Sequence, residues 1–181
     1  MLSSQVERCN EILKRLTLNP VEEDEFIDKD LTMREYLSEI ISSFKDISKK
    51  NFIFNFDQFS NVKKITKSIE IVYGLRNFIG NANKFSKETI YINLKSDSEM
   101  TEITIEDDGN GYPRDVLSKI GEPYLRSKDP IEKEKTGLGL GLFIGKTLLE
   151  KNFASINCKN SKTRSGAEVI IKWNNKDLFN I

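Results

Sequence analysis

The sequence predicts an α/β two-layer sandwich, a mixed sheet of about five strands with three main helices, plus a bundle-type helix at the N-terminus. Three observations predict it. Strand-like alternation and helix-like stripes interleave from residue 31 onward. The late strands are joined by short turns, so at least part of the sheet is antiparallel. Residues 1–18 carry a narrower seam of another kind: Leu2, Val6, Cys9, Leu13 and Leu16 recur at alternating spacings of four and three, with Ile12 beside them.

Asn19-Pro20 ends that first helix, and the acidic stretch to Asp30 reads as a linker, which leaves 31–181 as the folded domain. Thr32 with Glu35 three residues later fits a capping box. Leu37, Ile40, Ile41, Phe44 and Ile47 then form a helical face to about residue 50. Phe52, Phe54 and Phe56 alternate in a short strand, and a brief extended piece lies near Ile65. Ser68 caps a long helix to about Phe85, with Ile69, Val72, Leu75, Ile79 and Ala82 on its buried side. Strands follow near 89–95 and 101–106, a short helix near 113–120, and a charged irregular stretch over 121–136. A glycine-rich segment opens a helix to about 151, and strands fit 154–159 and 167–173.

Composition narrows the function. A chain of 181 residues is too short for two ordinary domains. Lys plus Arg and Asp plus Glu are 28 each, so no net field draws in nucleic acid. There is no histidine, which removes Ser-His-Asp and Cys-His nucleophiles, H-E-x-x-H zinc sites and histidine pH switches. Cys9 and Cys158 form neither a zinc site nor a disulfide framework. No apolar run reaches the roughly 18 residues of a membrane helix, and no signal peptide opens the chain. An intracellular, cytoplasmic location is expected, with no membrane contact by these residues.

Two apparent motifs fail on spacing. Gly141 and Gly145 before Lys146-Thr147 are separated by three residues where a phosphate loop needs four, so Lys146 and Thr147 read as helix surface. Asp107-Asp108-Gly109 does not match a calcium loop.

Three other motifs carry more. Asn77 and Asn81 lie four apart on the long helix and project from one face, with Lys84 beyond them. Amide oxygens suit Mg2+, and Lys84 is placed to reach a phosphate; exposed asparagines are also common on helices. Asp107-Asp108-Gly109-Asn110-Gly111 follows a strand directly. A carboxylate there accepts from an exocyclic amine such as that of adenine, and the glycines let backbone approach a flat base; a plain strand-to-helix turn would use the same residues. Gly137-Leu138-Gly139-Leu140-Gly141 enters a helix, where bare N–H groups favour phosphate, and the same glycines would also serve a hinge.

In this order, the three motifs resemble the nucleotide-binding boxes of the GHKL ATPase/kinase superfamily, over residues 31–173. The resemblance implies the Bergerat fold, with ATP and Mg2+ as ligands. It implies Asn77 and Asn81 on the metal, Lys84 and the glycines at 137, 139 and 141 with Leu138 and Leu140 around the phosphates, and Asp107, Gly109 and Gly111 at the base. Gly121-Glu-Pro123-Tyr124 sits where histidine kinases carry an aromatic box at the start of the ATP lid, and Arg126, Lys128, Lys133 and Lys135 populate that lid. Hydrolytic members, and the anti-sigma serine kinases, hold a glutamate base where this chain has Asn77. An amide takes no proton at neutral pH, so the pattern is that of histidine kinases. The segments around Tyr124, 137–150 and 166–173 resemble RegB/PrrB-type redox-responsive sensor kinases, as does Gln5–Leu13. Gly166-Ala167 is a degenerate form of the last glycine box, with no ligand role assigned.

The expectation is a protein-histidine kinase catalytic fragment that transfers the γ-phosphoryl group of Mg-ATP to a histidine on a dimerization helix. Residues 1–18 would be the end of the second dimerization helix, Cys9 a redox-active or merely apolar seam residue, and the acceptor would precede Met1. Partners would be the dimerization helices of a homodimeric kinase anchored in the inner membrane and, indirectly, a response regulator. The alternatives are a GHKL ATPase used as a conformational switch and a dimerization module with a degenerate site.

Overall fold

Thr32 opens the first helix by reciprocal capping. Its backbone N–H donates to Glu35 Oε2 at 2.7 Å while Glu35 N donates to Thr32 Oγ1 at 3.2 Å. The computed structural model describes residues 31–58, 64–65, 68–125 and 139–179. Strand β1 (Leu31–Thr32) leads into α1 (Met33–Lys45), and β2 spans Asn51–Phe56. Strand β3 (Lys64–Ile65) pairs antiparallel with β1, and α2 runs Ile69–Phe85. Strands β4 (Thr89–Ser96) and β5 (Met100–Asp107) form a hairpin, followed by the single-turn α3 (Arg114–Leu117). Helix α4 (Gly141–Lys151) precedes the hairpin of β6 (Ser155–Asn160) and β7 (Ala167–Asn174), and α5 (Asn175–Leu178) closes the described fold.

The main sheet has five strands in the order β2-β4-β5-β7-β6, with β2 parallel to β4 and every other pair antiparallel. Helices cover one face. Inward side chains of the central strands (Ile90, Ile92, Leu94, Ile103, Ile105, Val169, Ile171 and Trp173) are buried under Leu37, Ile40, Leu75, Phe78 and Ile79. The opposite face is polar and cross-linked by partly exposed pairs such as Lys172–Glu102 at 2.7 Å and Lys159–Glu168 at 3.2 Å, each worth little. The two-layer sandwich and mixed sheet expected from the sequence are therefore present.

Two helical faces differ from expectation. Helix α1 stops at Lys45, and Ile47 is 68% exposed, because the chain turns toward β2 before Ile47 can face the sheet. Ile69 is 55% exposed: it is the first residue of α2 and projects past the covered region. The buried stripe of α2 is Ile71, Gly74, Leu75, Phe78, Ile79 and Ala82.

Helices α2 and α4 pack closely through glycine. A Cβ on Gly74 would come within 2.5 Å of Leu149 Cγ, and one on Gly145 within 3.1 Å of Asn77 Cβ. Side chains at either position would push the helices apart. Gly145, the second glycine of the failed phosphate-loop pattern, thus has a packing role that carries α4 against Asn77. The end residues tie the pair: Ser68 Oγ donates to Asn152 Oδ1 at 3.1 Å, and Lys151 Nζ to Glu70 at 2.6 Å. The expected helix over 1–18, the linker and Cys9 lie outside the described residues.

Candidate functional site

The period-two alternation of β5 places Thr101, Ile103, Ile105 and Asp107 on the buried side. Asp107 therefore occupies a core position at the strand's end, 2% exposed. Its Oδ1 accepts from Gly109 N at 2.8 Å and Ala167 N at 3.2 Å. No described group bonds Oδ2. Burial pushes the carboxyl pKa up, the two N–H donors pull it back, and the charges of Asp108 and Glu106 raise it further. The result is a desolvated carboxylate with one oxygen committed and one left for an N–H donor.

Its neighbour does different work. Asp108 accepts from the backbone N–H groups of Lys87, Glu88 and Thr89 at 2.8–3.1 Å, tying the end of α2 to the start of β4. Hydrogen bonds to these N–H groups outweigh partial burial and lower its pKa.

The glycines admit close approach of the protein's own groups. A Cβ on Gly109 would overlap the Phe85 carbonyl oxygen and lie 2.8 Å from Asp107 Oδ1. Gly111 has φ +75° and faces the Asn160 amide. Tyr112 follows, buried; its hydroxyl has no hydrogen-bond partner among the described residues, although the Cys158 thiol lies near it. Burial, then the Cys158 and Asp107 charges, drive its pKa well up. Burial likewise pushes the pKa of the half-buried Cys158 thiol up to about 11, which disfavours the reactive thiolate.

Gly166, given no ligand role from the sequence, has a structural one. A Cβ there would overlap the Asp107 carbonyl and crowd its Oδ1. Only glycine leaves Ala167 N–H free to reach the carboxylate. The degenerate last glycine box thus supports Asp107 directly, a contact across about sixty residues of sequence that spacing could not reveal.

On α2, Asn77 Nδ2 donates to the Tyr73 carbonyl at 2.8 Å, which turns its oxygen outward, 3.6 Å from where a Cβ on Gly141 would stand. The Asn81 side chain has no hydrogen bond among the described residues and lies one turn on, with Lys84 nearly one turn further. The Lys84 ammonium lies 5.8 Å from the Phe85 ring, and partial burial lowers its pKa. This face carries the Asn77 amide oxygen beside the first residue of α4, and Asn81 and Lys84 further along the helix. Among the described residues no three His, Cys, Asp or Glu side chains gather, so a cation here would be held by amide oxygen and by oxygen its ligand brings.

The chain ends flanking 126–138 are clasped together. Leu125 N donates to Gly139 O at 3.1 Å, and a Cβ on Gly139 (φ +70°) would overlap the Leu125 carbonyl. Tyr124 has φ +60° and is 67% exposed, and Gly121 has φ +98°. A Cβ on Gly121 would meet Lys146 Nζ at 2.9 Å, so Lys146 is more than helix surface: it packs on the segment that leads into the clasp. Leu140 stands just before α4. Gly137, Leu138, Arg126, Lys128, Lys133 and Lys135 lie outside the described residues.

Gly109 thus lies against Asp107 and the end of α2, and Asn77 lies beside Gly141 at the start of α4; known proteins share the family and the fold in which these residues stand. Residues 66–177 match the family described as histidine kinase-, DNA gyrase B-, and HSP90-like ATPase. The chain is 30% identical to the sensor histidine kinase RegB of Cereibacter sphaeroides, over 96% of this chain and 41% of the relative. It is 29% identical to the sensor histidine kinase CpxA of Escherichia coli, over 48% of this chain and 19% of that one. The chain therefore spans less than half the length of these curated relatives. Among solved structures, the catalytic domain of the histidine kinase ThkA superposes with TM-score 0.65 at 20% identity, covering 80% of this chain and 93–95% of that one. The mycobacterial sensor histidine kinase MprB gives 0.63 at 20% identity, over 80% and 95%. With a family match across most of the chain and the matching fold beneath it, the protein belongs to the GHKL superfamily of histidine kinase-, gyrase B- and HSP90-like ATPases.

Proposed function

We propose that this chain is the catalytic, ATP-binding part of a two-component sensor histidine kinase. It binds Mg-ATP and presents the γ-phosphoryl group to a histidine on a dimerization helix. The observation that carries the reading is Asp107, a desolvated carboxylate with Oδ1 committed to two backbone N–H groups and Oδ2 left for the exocyclic amine of adenine.

Gly109 and Gly111 admit the flat base. Asn77 and Asn81 would hold Mg2+ by their amide oxygens, water and phosphate oxygens completing its shell. A bound Mg2+ neutralises charge on the phosphates. Lys84, and the N-terminal turn of α4 with Gly139, Leu140 and Gly141, are assigned to phosphate, with Gly137 and Leu138 before them and Tyr124 at the lid's start. Catalysis is then positioning and charge neutralisation. Asn77 offers no base for activating water, which favours transfer to a strongly nucleophilic imidazole over hydrolysis.

The names of the relatives support the wider reading: RegB and CpxA are sensor histidine kinases, and the full-length kinase ShkA, solved with AMPPNP, shares the fold at TM-score 0.62. From them we infer a cytoplasmic domain of a membrane-anchored, homodimeric sensor that signals through a response regulator, with residues 1–18 contributing to the dimerization helices and Cys9 a candidate redox residue.

The test has two arms. Calorimetric titration should show Mg2+-dependent ATP binding. Because the sequence has no histidine, a dimerization helix bearing one is supplied with labelled ATP and should acquire acid-labile phosphate. No binding at millimolar ATP refutes the reading; steady hydrolysis by the chain alone, without transfer, replaces it with an ATPase switch.

A further inference from the structure

We propose that Asn160, on the last hairpin, is a positioning residue for the base-reading loop and so a determinant of nucleotide selectivity. The inference rests on the ATP-binding reading above.

Asn160 ends β6, and its side chain reaches the loop that follows Asp107. Tyr112 N donates to Asn160 Oδ1 at 2.6 Å, and Asn160 Nδ2 donates to the Tyr112 carbonyl at 3.0 Å. One amide thus grips both backbone groups of one loop residue, which only a side chain with adjacent donor and acceptor can do. The grip depends on Gly111. A Cβ there would lie 2.7 Å from Asn160 Oδ1, and Gly111 holds φ +75°, a conformation other residues rarely adopt.

Sheet register explains why the clamp acts on Asp107. Asn160 pairs with Ala167 across β6–β7. Ala167 is also the residue whose N–H bonds Asp107 Oδ1, one position beyond the Glu106–Glu168 pair of β5–β7. Asn160, Ala167 and Asp107 therefore form one row across three strands. The loop from Asp107 to Tyr112 is held at both ends of that row, by Ala167 N–H at its start and by the Asn160 amide at its finish. The buried Tyr112 ring, packed in the core, prevents the loop from swinging about the clamp.

Fixing Tyr112 fixes Gly111 and, through it, the turn that carries Gly109 and Asp107. The side chain lies against Gly111 and hydrogen-bonds Tyr112, with no bond to Asp107, so its effect is on geometry. Releasing the clamp should let the Asp107 loop rearrange and blur its reading of an amine, while phosphate contacts on α2 and α4 stay intact.

The experiment compares ATP with purine riboside triphosphate, which lacks the exocyclic amine, by calorimetry on the whole chain with Mg2+. The wild-type protein should prefer ATP by about tenfold or more, the worth of one good hydrogen bond to a charged acceptor. Asn160→Ala should cut that preference several-fold, chiefly by weakening ATP. Asn160→Asp, which keeps the acceptor for Tyr112 N but loses the donor, should fall between. A merely structural role would weaken both nucleotides equally. An unchanged selectivity ratio in Asn160→Ala therefore overturns the proposal. A wild-type protein that binds ATP without preference, or binds neither nucleotide, overturns the base-reading role of Asp107 itself and this inference with it.

Discussion

Asp107→Asn separates the function of the site from its stability. The substitution is nearly isosteric, and an amide oxygen can still accept from Gly109 N and Ala167 N at 2.8 and 3.2 Å. What changes is the other atom, which becomes an NH2 group and confronts the amine of a bound adenine donor to donor. The lost interaction is a hydrogen bond to a charged acceptor, worth about 1.5–3 kcal/mol, so ATP affinity should fall roughly 10- to 150-fold. Stability should move the other way or not at all. Burial raises the Asp107 pKa, so the folded protein holds the ionised form at a cost that a neutral amide avoids. Calorimetric titration with Mg-ATP and a thermal melt of the ligand-free protein read the two effects separately. Unchanged affinity would refute the base-reading assignment. Affinity and melting temperature lost together would show that Asp107 is structural.

Other outcomes follow from the same contacts. Asp107 must be ionised to accept from the amine, so ATP affinity should weaken as pH falls through its raised pKa, at a higher pH than an ordinary carboxylate would require, and this component should be absent in Asp107→Asn. The linked effect on stability has the opposite sense: a raised carboxyl pKa favours the fold below the unfolded value and loses that contribution as pH rises through the folded one, which pH-dependent melts of the two proteins can test. Gly166→Ala drives a methyl group into the Asp107 backbone, which cannot yield like a flexible side chain; it should cost about 3 kcal/mol of stability, by chemical denaturation, and weaken ATP binding even where the protein remains folded. Thr32→Ala removes the reciprocal cap of α1, far from the site, and should cost about 1 kcal/mol with ATP affinity unchanged.

Local features were the most legible part of the chain. The Thr32–Glu35 cap, the Ser68 cap, the inward alternation of β5 and β7 and the helix entered at Gly141 all rest on residues within a few positions of one another. Misread faces occurred at helix ends: Ile47 and Ile69 continue a hydrophobic period that the neighbouring layer does not continue to cover. The parallel pairing of β2 with β4 was not legible, since it depends on α2 crossing between them. The same limit explains the missed contributors. Gly166, Ala167 and Asn160 reach Asp107 and its loop only through the β5–β7–β6 register, and Lys146 meets Gly121 across a segment that spacing treats as loop.

The site's chemistry comes from a conflict between two regularities of the fold. Alternation demands an apolar residue at the seventh inward-or-outward step beyond Met100, where Asp107 stands, and the sheet delivers that position to the core regardless of its chemistry. A carboxylate there is tolerable because the strand ends at that point: Gly109 N lies in the turn just beyond and Ala167 N at the adjoining strand's start, and both satisfy one oxygen. The other oxygen remains in partly desolvated surroundings, where a donor gains more than it would in water because the attraction is less screened. On the proposed reading, this local fault in the hydrophobic pattern is where a flat ligand carrying an N–H group would bind. Such a site should discriminate by the presence of the amine more than by ligand size, which is the distinction the ATP and purine riboside triphosphate comparison measures.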